Sequence, residues 1–482
     1  MNIRAVFQLI SLLWIGLSLF IASCWGVSIY YGDTEVAQRG LALSSLIALI
    51  AGVVLYALTR GPIDLTRRDG IGIVTFGWLA AALLGSLPYI LSGAVSDPIT
   101  ALFETLSGFT TTGASALSNL EKLPKGILLW RCMTQWLGGM GVLVLCVAIL
   151  PFLGVGGMQI YRAEMPGPSK DRLTPRITST AKFLWAVYLF LTLTEALLLK
   201  LGGITWFSAL CHSFATVSTG GFSIYTESIG AFNNMYIEVI ITIFMFLAGI
   251  NFALHYRALR GDVRSYFRDP EFRFFLLFWL GVSFFLTFNI WKTTYMSIGH
   301  AIQAAFFQST SMITTTGFCT EDFNRWPLSS RILIVVLMFT GACAGSTSGG
   351  MKMVRIFVVF KKIIREIRLF MLPQAVVQIK LGRKPLDQDT ESKILSFFII
   401  FILLFTIASF AMSFYTPDLE TATTSVIATL GNIGPGLNMV GPTENYGFIE
   451  TPGKLILIIC MLLGRLELYT VLVILLPRFW KR

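Results

Sequence analysis

Charged side chains are scarce in this sequence. Only 13% of its 482 residues are Asp, Glu, Lys or Arg, whereas 55% are hydrophobic. Because soluble globular proteins carry roughly a quarter charged residues, this composition excludes an ordinary soluble domain. Histidine is also rare, with three residues, and the seven cysteines form no CxxC motif. The sequence therefore indicates neither a metal cluster nor a disulfide framework.

Catalytic motifs are missing as well. The chain contains no HExxH motif, no serine–histidine pairing and no paired catalytic carboxylates, so we do not expect an enzyme. It also lacks the glycine-rich strand–turn–helix segment that cradles phosphates. The net charge of +11 does not come from a basic segment interleaved with aromatic residues, which argues against nucleic-acid binding.

Long apolar runs are what the sequence has in abundance. A helix needs about 20 predominantly apolar residues to cross a bilayer. Ten segments meet this requirement, and they are residues 5–30, 41–58, 71–92, 127–155, 183–201, 235–255, 272–291, 330–360, 394–415 and 454–477. The sequence therefore predicts an all-α polytopic membrane protein.

Lysine and arginine are distributed unevenly between the two sides of these spans. Of the 37 Lys and Arg residues, 27 fall on the side that carries the termini, nine fall on the other side, and Arg465 lies within a span. Because cytoplasmic loops carry the excess of positive charge, both termini are predicted to be cytoplasmic. The net charge is then mainly a consequence of topology.

The polar segment FETLSGFTTTGAS (103–115) has three relatives in the chain, at 211–223, 307–320 and 425–438. One alignment superposes the glycines of all four segments, which are Gly113, Gly220, Gly317 and Gly434. A single such segment would be explained by helix packing through small residues. Four in one frame, each between two spans, favour a repeat.

The repeats define a predicted architecture. Two N-terminal helices precede four helix–pore loop–helix repeats with pseudo-fourfold symmetry around one pore. The predicted units are residues 1–68, 69–160, 161–262, 263–385 (repeat 3, with an intramembrane gating loop) and 386–482.

Each repeated segment follows a stretch too short to span a bilayer. These stretches, residues 97–109, 205–217, 298–314 and 419–431, fit re-entrant half-helices. A half-helix entering from outside directs its carbonyl end, and thus the negative end of its dipole, towards the membrane centre, which favours a cation. Backbone carbonyls of the loops can then replace the water around a potassium ion. The candidate filter residues are Thr110, Thr111, Thr112, Gly113, Ser218, Thr219, Gly220, Thr315, Thr316, Gly317, Asn432, Ile433 and Gly434.

Two further features are candidates for a gate. Residues 341–350 are all Gly, Ala, Cys, Ser or Thr, which predicts a break in the span with its backbone beside the pore; a close-packed helix face is the alternative. The candidate loop residues are Gly341, Gly345, Ser346, Gly349 and Gly350.

Arg465 is the second gate candidate, because an arginine inside a span usually faces a cavity or a partner. It could repel a cation and hold the loop through carbonyl hydrogen bonds; a structural ion pair is the alternative. Glu467 is a poor partner for it on the same helix. Glu104 either braces its loop or adds negative potential, and Glu195 is expected at an interface near the aqueous edge.

Three segments, SGFTTTGAS (107–115), GACAGSTSGG (341–350) and GRLELYT (464–470), carry a resemblance to a known family. With them, essentially the whole chain resembles the TrkH-type subunit of bacterial potassium uptake systems, in the Trk/Ktr/HKT superfamily. The resemblance implies low-affinity potassium uptake across the inner membrane through a gated, potassium-selective pore. A symporter that couples potassium to protons or sodium is the alternative.

The resemblance also implies assembly and regulation. It implies a homodimer and a cytosolic, nucleotide-binding TrkA-type partner, for which the basic stretch 352–393 is the candidate docking segment. It implies no covalently bound cofactor, with potassium as the ion in the pore. The fourth loop, with Gly431-Asn432-Ile433-Gly434-Pro435, departs from the family pattern, and this puts exact fourfold geometry in doubt.

Overall fold

The computed structural model describes residues 1–61, 65–141, 177–375, 377–382 and 384–480. Helices dominate, which confirms the all-α prediction. In chain order the helices are Ile3–Tyr30, Glu35–Thr59, Arg67–Gly85, Leu87–Leu91, Pro98–Phe109, Lys125–Gly139, Ile177–Leu201, Trp206–Val217, Met235–Ala248, Phe252–Leu259, Arg264–Arg268, Pro270–Ile290, Ile298–Ile313, Leu328–Thr340, Met353–Met371, Gln388–Met412, Leu419–Leu430, Thr451–Arg465, Leu468–Ile474 and Pro477–Trp480.

Short elements complete this list. Two-residue strands at Lys380–Leu381 and Lys384–Pro385 pair antiparallel. The 3-10 turns are Leu120–Lys122, Ser228–Phe232, Phe323–Arg325, Asn438–Val440 and Tyr446–Phe448.

Among the residues that the structure describes, six helical segments are long and apolar enough to cross a membrane, or eight if each of two bent helix pairs forms one span. The six are Ile3–Tyr30, Glu35–Thr59, Arg68–Leu91, Lys182–Leu201, Pro270–Ile290 and Gln388–Met412. Their outward faces carry many exposed large apolar side chains, such as Leu19 and Phe410, as expected for helices that contact lipid. The prediction of several membrane-crossing helices is therefore confirmed.

Two predicted spans are wrong as continuous helices. The span 235–255 bends by 101° after Ala248, and the span 454–477 bends by 117° after Arg465. The span 330–360 is interrupted, as the small-residue run predicts, because one helix ends at Thr340 and the next begins at Met353. Of the span 127–155, residues 142–155 lie outside the described residues, as does the predicted boundary at 160/161.

The four short helices that precede the polar segments occupy the predicted positions. We call them half-helices 1 to 4; they are Pro98–Phe109, Trp206–Val217, Ile298–Ile313 and Leu419–Leu430. Three of them begin at a capping side chain: Asp97 accepts from the Thr100 amide at 2.9 Å, Thr205 from Ser208, and Asp418 from Thr421. Such caps satisfy the free N–H groups at a helix start and fix where each half-helix begins.

Buried apolar side chains connect the N-terminal helices with the rest of the molecule. One core cluster extends from Val6 and Leu9 through Phe103 and Trp130 to Leu466. Half-helix 1 packs between helices Lys125–Gly139 and Thr451–Arg465. Helix Thr451–Arg465, near the C-terminal end of the chain, therefore packs beside the first half-helix and the loop that follows it.

Candidate functional site

The loops after the four half-helices share one backbone conformation. Each has a non-glycine residue with positive φ, namely Thr111, Thr219, Thr315 and Asn432, with values from 53° to 58°. Two residues further on, each has a glycine with positive φ; these four, which we call the ring glycines, are Gly113, Gly221, Gly317 and Gly434. Alternation of this kind lets successive carbonyl groups point the same way, and it requires glycine where the side chain would clash.

The second loop corrects the sequence alignment by one residue. Gly221, not Gly220, is equivalent to Gly113, because the Gly221 amide faces the Ala215 carbonyl oxygen at 3.4 Å just as the Gly113 amide faces that of Ser107 at 3.5 Å. The alignment matched threonine–glycine pairs by residue type, although Gly220-Gly221 offers two registers. The equivalent of Ser218 is therefore Thr110, and Gly220 takes the position of Thr112.

The four loops follow one another around a closed ring. In each loop, a Cβ atom added at the ring glycine would lie 2.8 Å or less from a carbonyl oxygen of the next loop. For Gly113 this oxygen belongs to Gly220 in the second loop. The same relation links Gly221 to the third loop, Gly317 to the fourth and Gly434 back to the first. The carbonyl oxygens that the ring glycines meet, which we call the ring carbonyls, belong to Gly220, Thr316, Ile433 and Thr112.

A side chain from outside the loop occupies the space that Gly220 leaves empty. Gln135 lies where a Cβ of Gly220 would project. Its Nε2 donates to the Gly220 carbonyl oxygen, and its Oε1 accepts from the Phe222 amide at 2.9 Å. Gln135 therefore supports the second loop in place of the missing side chain.

The first and third loops, which lie opposite each other, each contain a pair of hydrogen-bonded hydroxyl groups. Thr110 and Thr112 form one pair at 2.7 Å in the first loop, and Thr314 and Thr316 form another at 2.8 Å in the third. In the fourth loop, Asn432 donates instead to Thr112 Oγ1 at 2.9 Å. The backbone of the fourth loop follows the shared pattern of positive φ values. Its largest departure is at Gly434, where φ is 103°.

Residues 341–352, which we call the central loop, lie against the inner end of the ring. The Gly349 amide donates to Thr315 Oγ1 at 2.7 Å, and Thr219 Oγ1 lies 3.3 Å from Thr347 Oγ1. The backbone of Gly349 also packs against Asn432. Three of the four loops therefore contact the central loop through the residue two positions before the ring glycine.

Arg465 fixes the central loop to the first loop. Its Nη1 donates to the Thr347 carbonyl at 2.8 Å and to Thr111 Oγ1 at 3.1 Å. Its Nη2 donates to the carbonyl oxygens of Gly138 and Gly139 at 2.6 and 2.9 Å. The carbonyl bond to the loop is the one predicted from the sequence. Because the helix ends at Arg465, the guanidinium reaches this position at the bend.

Glycine gives the central loop its shape at three positions. Gly341, Gly345 and Gly350 have positive φ values of 70° to 75°, so an L-residue would be strained there. The Gly345 carbonyl accepts from the Phe252 amide at 3.0 Å, beside the bend that follows Ala248. Ser346 Oγ donates within the loop, to Cys343 O at 2.6 Å.

Two charged side chains at the central loop escaped the sequence analysis. Glu271, buried at the start of Pro270–Ile290, accepts from the amides of Ala344 at 2.7 Å and Val354 at 3.1 Å. Lys352 is buried and directs its Nζ to the Ser348 carbonyl and, at 3.1 Å, to Ser348 Oγ. Glu271 stands one residue before a predicted span, where a charged side chain is ordinary, so the sequence carries no signal for its contact with the central loop.

The remaining acidic candidates have definite surroundings. Glu104 braces the first loop, because it accepts from Ser115 Oγ at 3.0 Å and pairs with buried Arg131 at 2.8 Å. Glu467 pairs with Arg355 on the helix that follows the central loop, at 2.8 Å. Glu195 is fully buried, six residues before the end of its helix; burial fits the predicted interface residue, and its place near the aqueous edge stays a prediction.

The outer side of the ring opens into a vestibule to which all four loops contribute. The ring glycines line it together with Arg131 and Tyr446. Among the residues that the structure describes, no group of three or more His, Cys, Asp or Glu is placed to hold a metal ion. The oxygen atoms that the ring itself presents are those of the ring carbonyls.

Comparisons with known proteins agree on one family. Residues 39–482 match the family model TrkH, described as a cation transport protein. The chain is 43% identical to the Trk system potassium uptake protein TrkH of Escherichia coli K12, and 40% identical to the protein of the same name from Halomonas elongata; in both cases 100% of each chain is covered. It also matches the crystal structure of the potassium transporter TrkH from Vibrio parahaemolyticus, with a TM-score of 0.89, 35% identity and full coverage of both chains.

Proposed function

The chain belongs to the TrkH family of cation transport proteins, and from this premise we propose that it takes up potassium through a pore lined by the ring carbonyls. The closed relation between the ring glycines and the ring carbonyls is the observation that carries the proposal. Four carbonyl groups around one axis can replace the hydration shell of a potassium ion without a carboxylate ring. The similar proteins of Escherichia coli and Halomonas elongata are named potassium uptake proteins.

The half-helices supply electrostatic support for this proposal. Each ends just before its ring residues, so its carbonyl end and the negative end of its dipole point to the ring. Each loop has a single ring glycine, and a filter of this length dehydrates an ion at few successive sites. We therefore expect low-affinity uptake, which the half-saturation concentration of flux would test.

The central loop and Arg465 form the proposed gate. The loop contacts the residues directly inside the ring, and Arg465 places a fixed positive charge beside Thr111. A cation that leaves the ring inwards would meet both obstacles. The described conformation therefore corresponds to a closed gate.

The helix Met353–Met371 is the proposed docking surface for a nucleotide-binding, TrkA-type regulatory subunit. Its apolar side chains at Phe360, Ile363 and Ile367 are more than half exposed and recur every three or four residues. Arg368, also exposed, adds positive charge to the helix. A helix with an exposed apolar stripe is suited to bind a protein partner.

The same family membership leads us to expect a homodimer in the bacterial inner membrane. Both termini would be cytoplasmic, because the side that carries them holds most of the lysine and arginine. Light scattering of the purified chain would test the dimer. Protease protection of tagged termini in right-side-out vesicles would test the orientation.

Ion flux into liposomes that contain this chain alone tests the function. We expect rubidium or potassium uptake driven by their own gradient, with far less sodium uptake. Uptake that requires a sodium or proton gradient would favour the coupled symporter over the channel as the function of this chain. No uptake of potassium or rubidium under any gradient, by protein shown to be folded and inserted, would refute the proposal.

A further inference from the structure

The corrected register brings four polar residues into equivalent positions on the half-helices. Nine residues before the ring glycines stand Glu104, His212, Gln308 and Ser425. All four side chains are fully buried. A polar side chain buried at the same place in each half-helix needs a hydrogen-bond partner there, because burial without one is costly.

In three of the loops, that side chain reaches the residue two positions after the ring glycine. Ser115 Oγ donates to Glu104 at 3.0 Å, Ser223 Oγ lies 3.0 Å from His212 Nε2, and Gln308 Nε2 lies 3.5 Å from Cys319 Sγ. We call Glu104, His212 and Gln308 the strut residues, because each connects its half-helix to the outer end of its own loop.

In the fourth loop the residue equivalent to a strut makes no such contact, and its neighbour Thr424 connects the half-helix to the loop, because Thr424 Oγ1 accepts from the Leu437 amide at 3.0 Å. Ser425 donates to the Ala422 carbonyl in its own helix at 2.9 Å, and the residue two positions after the ring glycine is Gly436, which has no side chain. Tyr446 also supports this loop, since its hydroxyl donates to the Gly434 carbonyl at 2.6 Å and its amide donates to Ser115 O at 2.8 Å.

The partners of His212 define its protonation state. Its Nδ1 lies 2.8 Å from the Ser208 carbonyl oxygen, which can only accept, so Nδ1 carries the hydrogen. In the neutral imidazole Nε2 then accepts from Ser223 Oγ, while Ser223 Oγ accepts from the Tyr225 amide at 3.0 Å. A glutamine side chain can also accept at this position, whereas alanine cannot.

A continuous hydrogen-bonded chain joins the struts of the first two loops. Arg131 Nε donates to Glu104 at 2.8 Å, and its Nη1 donates to the Ser223 carbonyl at 2.9 Å. Ser223 in turn bonds His212. The chain from Glu104 to His212 therefore fixes the outer ends of two neighbouring loops relative to each other, behind the ring carbonyls.

We propose that the strut residues are positioning residues for ion selectivity, and that Glu104 is the most important of them. This inference rests on the proposed potassium pore. A loop that is free to move at its outer end lets the ring carbonyls adapt to ions of different size, and a braced loop resists that change. Glu104 is the charged strut, and through Arg131 it braces two loops at once.

The test measures the ratio of rubidium to sodium flux in liposomes that contain the full chain at matched protein content. Glu104→Ala should lower this ratio by about tenfold, which corresponds to about 1.4 kcal/mol. Glu104→Gln, which keeps an acceptor but loses the charge, should fall between Glu104→Ala and the unaltered chain. His212→Ala should lower the ratio, and His212→Gln should restore it. Ser425→Ala, at the equivalent position without a strut, is the matched control and should leave it unchanged.

The outcomes separate this inference from the proposed function. If Glu104→Ala fails to give folded protein, the comparison of His212→Ala with His212→Gln decides. Unchanged ratios in both alanine variants, or an equal loss in Ser425→Ala, would overturn the strut role. If the unaltered chain conducts potassium and Gly221→Ala alone destroys selectivity, the pore stands without the struts. A chain that conducts no potassium refutes the proposed function itself.

Discussion

Arg465 donates to the backbone carbonyl of Thr347 at 2.8 Å, across 118 residues of sequence. This bond joins the bend in the last span to the middle of the central loop. The same guanidinium bonds Thr111 in the first loop, so one side chain connects the ring, the loop and the bend. An equilibrium between closed and open states would have to break these contacts together.

Replacement of Arg465 by alanine should raise basal potassium flux by tenfold or more. At an effective dielectric constant of about 20, a unit charge about 4 Å from a cation raises its energy by about 4 kcal/mol. Arg465→Lys keeps the charge but loses the planar fork, so its flux should stay near that of the unaltered chain. Flux by the purified chain in liposomes checks both, with exposed Arg39→Ala as the control. Equal flux in all four proteins would remove Arg465 from the gate.

The two adjacent glycines of the second loop should respond differently to alanine. Gly221 has a φ of 76°, and a Cβ there would meet the backbone carbonyl of Thr316. A non-glycine residue in this conformation costs about 1–3 kcal/mol before the clash is counted. At Gly220 the three atoms nearest to an added Cβ all belong to the far end of the Gln135 side chain, which can move. Gly221→Ala should therefore abolish selective flux, while Gly220→Ala retains part of it; the reverse order would restore the register aligned from the sequence.

The half-helices and the interrupted span were predictable because their signals are local. The short stretch 97–109 before the polar segment predicts half-helix 1, and the helix begins at Pro98. The register of Gly220 and Gly221 was not predictable, because it depends on which carbonyl the neighbouring loop presents. The bends after Ala248 and Arg465 also depend on tertiary contacts, since both segments read as continuous apolar runs.

The same distinction applies to the charged residues of the site. Arg465 was identifiable as an isolated charge within a span, whereas its Thr347 partner was not, because the acceptor is a backbone carbonyl. Glu271 stands one residue before a predicted span and Lys352 is the first residue of the basic stretch 352–393. Charges are ordinary at both places, and only the fold places these two against the central loop. The Glu104–Arg131 pair joins residues 27 positions apart, a contact that no helical spacing rule predicts.

Replacement of Glu271 by alanine should loosen the central loop and raise basal flux. Its carboxylate accepts from the amide of Ala344, near the start of the central loop, and from that of Val354, just after its end. Each buried N–H left without a partner costs about 1–3 kcal/mol, so the closed conformation loses stability relative to any open one. Glu271→Gln keeps an acceptor and should show a smaller increase. Glu450→Ala, an exposed carboxylate that makes no cap hydrogen bond, is the control in the same flux assay; a rise there equal to that of Glu271→Ala would count against the loop contact.

The Arg355–Glu467 pair should couple the bend in the last span to the helix that follows the central loop. Arg355 Nη2 donates to both carboxylate oxygens at 2.8 Å, and Glu467 lies inside the bend with a φ of 59°. Because the pair is largely buried, single neutral substitutions should each raise basal flux, and the double substitution should raise it no further. A double-mutant cycle should give a coupling of about 0.5–3 kcal/mol, whereas the exposed pair of Arg39 and Glu35 should give almost none. Additive effects at Arg355 and Glu467 would mean that this pair does not couple the bend to the helix that follows the central loop.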